Sequence, residues 1–153
     1  MLTLWNTKKL RDKLESRELP EWQVFVYFFI TVVYDHTAFT VAYLGLDGQQ
    51  LSFYGTINIG SALVITFIGV LYVFFQNGGK AGEQFFQRYF SLSVVVGIKF
   101  AILILVIPEI INIISNGIAY NMFPWFNSAL FITLNIMMFL IIGHHVNLLA
   151  KRS

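Results

Sequence analysis

Four stretches of roughly twenty mostly apolar residues constrain what this chain can fold into more than any other feature. They cover positions 22–45, 57–75, 89–107 and 125–149, and each is too long for a strand. A hydrocarbon core about 30 Å thick is crossed by about 20 helical residues, and a helix satisfies every backbone N–H and C=O within one segment. The expected fold class is therefore all-α, an integral membrane four-helix bundle forming one domain over 1–153. Composition agrees. Charged residues make up 12% of the chain, about half the usual 25% share in soluble domains. That is too few to coat a water-soluble surface.

The positions of Lys and Arg orient the spans. Lys8, Lys9, Arg11, Lys13 and Arg17 precede the first stretch, Lys80 and Arg88 separate the second from the third, and Lys151 and Arg152 follow the fourth. The connections 46–56 and 108–124 contain no Lys or Arg. Nine of the ten basic residues thus fall on one side of a four-span chain, and both termini are expected in the cytoplasm (N-in/C-in). A cleaved signal peptide with its apolar core at 24–34 fits less well, because the charged segment before it is long and the apolar run continues past Tyr34. Trp22, Tyr43, Tyr54, Tyr72, Tyr89, Tyr120 and Trp125 fall near the expected interfaces, where amphipathic rings are favoured.

Residues 2–19 mix Leu10 and Leu14 with eight charged side chains and end at Pro20. They are expected to form a short amphipathic helix on the cytoplasmic surface or a solvated charged leader. The segment 76–84 contains Asn77-Gly78-Gly79-Lys80-Ala81-Gly82. It lacks the spacing and the preceding strand of a phosphate-binding loop and is expected to be a flexible turn. From Glu109 to about residue 118, either a short interfacial helix or a continuation of the third span past Pro108 is possible.

Polar residues inside the apolar stretches are the candidate site, because charge in hydrocarbon is costly and seeks partners. Asp35 lies 13 residues into the first span and Lys99 ten into the third, depths of roughly 20 and 15 Å. Asn135 sits near the middle of the fourth. These three are expected to meet near the midplane with His36 nearby. An Asp35–Lys99 pair serves helix register as readily as transport, and Lys99 also has the reach to snorkel toward the interface. Thr31, Asp35, Ala38, Ala42 and Gly45 share one helical face, small or polar throughout and suited to close helix contact. Ala62 and Gly69 on the second span, and Ser93, Gly97 and Ala101 on the third, extend this packing pattern. Lys99 lies about 160° around its helix from Gly97, so the two features face different neighbours and self-association is one outcome.

The histidines do not suit haem or metal. His36 and the pair His144–His145 differ in depth by roughly 15 Å. No cofactor is expected, and the absence of cysteine excludes thiol chemistry and disulfides. The net charge of +2 is scattered beside the spans, which excludes nucleic acid as a partner. No nucleophile–base pair or metal motif points to an enzyme. The expected partners are the bilayer and another membrane protein or a second copy. A small proton or ion transporter lined by Asp35, His36, Lys99 and Asn135 is the alternative. In size and topology the chain resembles the four-helix immunity proteins that protect bacteria from pore-forming toxins. Small size and minimal loops suit a bacterial inner membrane.

Overall fold

The computed structural model describes residues 3–44, 53–114 and 124–151, with residues 34–44, 112 and 124 described by their backbone alone. Helix α1 spans Thr7–Glu15, α2 Glu21–Leu44, α3 Phe53–Gln76, α4 Phe85–Ile114 and α5 Pro124–Ala150, and a 3-10 turn covers Gly79–Ala81. Among the described residues there is no strand. Three stretches, Phe53–Gln76, Phe85–Ile111 and Trp125–Ala150, are long and apolar enough to cross a membrane. Helix α2 has 24 residues. Its fully described apolar part, Glu21–Val33, is shorter than a crossing.

The long helices lie side by side in the order α3, α5, α4, α2, with α2 and α3 meeting only slightly. The α3–α5 contact is the most extensive, and two glycines explain its closeness. A β-carbon on Gly69 would stand 2.3 Å from the Phe139 ring, and one on Gly143 2.3 Å from the Tyr72 ring. Each helix therefore presses an aromatic ring onto the bare backbone of the other, the close approach that small residues permit. At the carboxyl-terminal end of α3, Asn147 Nδ2 donates to Gln76 Oε1.

The amino-terminal segment forms the short amphipathic helix, one of the two expectations, and its apolar stripe is docked on the long helices. It starts where the Asn6 side chain accepts from Lys9 N–H at 2.9 Å, a standard N-cap. It ends where Arg17 enters the left-handed region at φ 56°, with Glu18 N–H on the Lys13 carbonyl and Arg17 N–H on that of Leu14, a Schellman closure. Its narrow apolar stripe is fully used. Leu10 and Leu14 are 0% and 1% exposed, packed where α1 meets α4 and α5.

The α3–α4 connection is likewise tighter than a flexible turn. Gly78 and Gly79 take φ of +94° and +58°, and a β-carbon on Gly82 would fall 2.0 Å from the Asn77 carbonyl oxygen. The buried Asn77 holds the turn from inside: its Nδ2 donates to the Glu83 carbonyl at 3.1 Å, and its Oδ1 accepts from Arg88 Nη1 at 3.0 Å. Beyond Pro108, the α4 helix continues to Ile114. Of the two possibilities for that segment, continuation past the proline is the one adopted up to Ile114. The missing proline N–H leaves the Ile104 carbonyl without its helical donor.

Candidate functional site

Lys99 is engaged by the amino-terminal segment. Its Nζ donates to Thr7 Oγ1 at 2.9 Å and stands 5.9 Å from the centre of the Trp5 ring, a favourable position for a cation over an aromatic face. Helix α2 meets α4 elsewhere, through Phe28 edge-on to Phe90 at 4.9 Å. Phe90 lies nine residues before Lys99, half a turn away around the helix at 100° per residue. The ammonium thus faces α1 and not the side on which α2 packs. The side chains of Asp35, His36, Ala38 and Ala42 fall outside the described side chains, and Gly45 lies outside the described residues.

The other polar groups within the apolar helices mostly bond within their own helices. Asn135 Nδ2 donates to the Phe131 carbonyl at 2.8 Å, Thr31 Oγ1 to that of Tyr27 at 3.0 Å, and Thr133 Oγ1 to that of Ala129 at 2.8 Å. Asn135 is therefore spent on its own helix through this amide hydrogen. The packing positions diverge. Gly69 is pressed against Phe139, whereas a β-carbon on Gly97 would meet nothing within 4 Å. Ala62 and Ala101 are half-buried, and Ser93 carries a buried hydroxyl oxygen with no hydrogen-bond partner.

Tyr27 and the α1 attachments were not singled out by sequence. The fully buried Tyr27 hydroxyl donates to the Thr3 carbonyl at 3.1 Å and accepts from Thr3 N–H at 2.9 Å. Gln87 Nε2 reaches the Leu19 carbonyl at 3.5 Å, and Arg17 pairs with Glu83 at 2.8 Å. Together with the Lys99–Thr7 bond, these set the register of α1 along α4. Its start lies by Lys99 and its exit by Gln87, about 18 Å apart on the α4 axis. The only local signal for this docking is the i, i+4 pair Leu10 and Leu14.

A cavity of about 250 Å³ opens between the amino-terminal halves of α3 and α5 and the carboxyl-terminal half of α4, lined by Asn58, Ile104, Pro108, Glu109 and Asn127 among others. Asn58 Oδ1 is buried without a hydrogen-bond partner. Among the described residues no three His, Cys, Asp or Glu side chains are grouped to hold a metal. No protein family, curated protein or solved structure matches this chain.

Proposed function

We propose that the chain is a four-span membrane protein with both termini in the cytoplasm, of the bacterial inner-membrane type, that works by binding another membrane protein and carries no enzymatic activity. One observation supports this most: a single slab of the molecule presents two surfaces that one medium cannot solvate. The slab is the length of α4 from Gln87 to Lys99, along which α1 lies. On α1 it exposes Lys8, Lys9, Asp12 and Glu15. At the same levels α2, registered by the Phe28–Phe90 contact, exposes Phe25 at 63% and Phe29 at 56%. Helix α3, registered by the contact of Phe74 with Phe85 at 5.4 Å, exposes Phe67 at 70% and Leu71 at 43%.

Lipid chains that suit the phenylalanines leave carboxylates and ammonium groups unsolvated at several kcal/mol each. Water that suits α1 leaves large aromatic side chains on both α2 and α3 bare, the signature of an interaction site. Either way another molecule covers one face. Because the expected third span begins at residue 89, the slab takes in the cytoplasmic end of the spans, where the aromatic face meets lipid and a partner covers the charged face of α1. The transporter alternative gains less support, since Lys99 and Asn135 are engaged separately.

Photo-crosslinking residues placed at Asp12 and at Phe67 in native membranes test the proposal. Adducts to one discrete protein from position 12 and to lipid from position 67 are expected. Lipid adducts from both positions would overturn it.

A further inference from the structure

The cavity between α3, α4 and α5, at the end of the bundle opposite the α3–α4 turn, is polar toward the helix ends and apolar toward the middle. Asn58 and Asn127 line it near the starts of α3 and α5, and Glu109 near the end of α4. Leu130 and Leu134 line it further along α5, with Leu134 about 10 Å beyond Asn127 on the helix axis. Its volume of about 250 Å³ exceeds the roughly 150 Å³ that holds one benzene molecule.

The polar end is rich in acceptors that lack a donor. Asn58 Oδ1 is buried with no hydrogen-bond partner, a costly state for a buried acceptor. Ile104 and Pro108 both line the cavity, so the Ile104 carbonyl, deprived of its helical donor by the proline, borders it. Glu109 is exposed and, among the described residues, is in no salt bridge. The connections that adjoin these helix ends in sequence, 45–52 and 115–123, contain no Lys, Arg or His. Water satisfies an amide oxygen, but it leaves the carboxylate charge unpaired and the apolar walls uncovered. An alkylammonium brings three N–H donors, no acceptor and one positive charge, joined to a chain that Leu130 and Leu134 can cover.

We propose that this cavity binds a small organic ammonium ion. Its N–H groups meet Asn58 Oδ1, the Glu109 carboxylate and the Ile104 carbonyl, and its alkyl part lies against Leu130 and Leu134. The site is at the opposite end from α1 and is independent of the partner proposed for the charged face.

Isothermal titration calorimetry of the full chain in a non-ionic detergent compares n-butylammonium chloride, n-butanol and ammonium chloride in a sodium chloride buffer of fixed ionic strength, each corrected for protein-free micelles. One n-butylammonium per chain is expected to bind saturably. It should bind at least about tenfold tighter than ammonium, which lacks the buried methylenes, and than n-butanol, which lacks the charge. Glu109→Gln should weaken binding about tenfold, the scale of one charge-assisted hydrogen bond, and Asn58→Ala by a few-fold. Glu109 is exposed, so its variant is expected to fold as the parent does. Glu83→Gln removes the same charge at the other end of α4 and should leave binding unchanged. Equal affinity for n-butanol, or equal losses from Glu83→Gln and Glu109→Gln, would overturn the proposal. So would the absence of saturable binding, which would leave water as the occupant. Ammonium binding as tightly as n-butylammonium would overturn it in favour of an inorganic cation.

Discussion

Glycine positions that look alike in sequence separate sharply in space. Gly69 and Gly143 each sit under an aromatic ring, and Gly97 faces open space. Gly69→Ala is expected to destabilise the α3–α5 contact by about 1–3 kcal/mol, the usual cost of overpacking. Combining it with Phe139→Leu, which withdraws the ring, should recover part of that loss. Gly97→Ala should be neutral or stabilise by up to about 1 kcal/mol, through helix propensity alone. Unfolding in detergent measures all three, and equal effects at Gly69 and Gly97 would contradict the ring-on-backbone packing. Asn77 gives a second contrast. Asn77→Ala removes the acceptor for Arg88 Nη1 and the donor to the Glu83 carbonyl, and should cost about 1–3 kcal/mol. Glu83→Gln, which breaks only the exposed pair with Arg17, should cost less than about 1 kcal/mol. Gly69 was legible in sequence from its spacing to Ala62. Gly143 and Asn77 were not, because what matters at each is a neighbour from another element: Tyr72 from α3 and Arg88 from α4.

At the scale of elements, apolar length predicted the helices well and their ends less well. Helix α3 begins at Phe53 and not near residue 57, and α4 extends from Phe85 to Ile114, beyond 89–107 at both ends. Hydrophobicity reports the part of a helix that meets hydrocarbon, whereas caps and helix–helix contacts set where the backbone stops. The amino-terminal helix forms as expected, but its docking was not legible. Its two leucines predicted an apolar stripe but not the groove that receives it, since that groove exists only once α4 and α5 have packed. Leu10→Asp with Leu14→Asp is expected to release α1 and leave the long helices inserted. Limited proteolysis in detergent should then cut within residues 3–20 at least about tenfold faster than in the parent chain, by the loss of burial at two leucines worth about 2–5 kcal/mol each. Unchanged cleavage would show that the docking contributes little. Charge in an apolar run marked Lys99, but its partner Thr7 lies 92 positions away, in a segment expected at the surface.

For the whole molecule, the side-by-side order α3, α5, α4, α2 and the docked amino-terminal helix make the half that carries the α3–α4 turn charged along α1 and aromatic along α2 and α3. The proposed partner on the charged face and lipid on the aromatic one both depend on how the chain threads the bilayer. Because the sequence contains no cysteine, a single introduced thiol reports its own location without background. Gln50→Cys, Ile118→Cys, Lys80→Cys and Lys151→Cys, each treated in intact cells with a membrane-impermeant maleimide, measure the threading directly. Four crossings with the basic segments inside predict labelling at positions 50 and 118 from the outside, and at 80 and 151 only after permeabilisation. Labelling of position 80 from the outside, or protection of 50 and 118 until the membrane is opened, would contradict it.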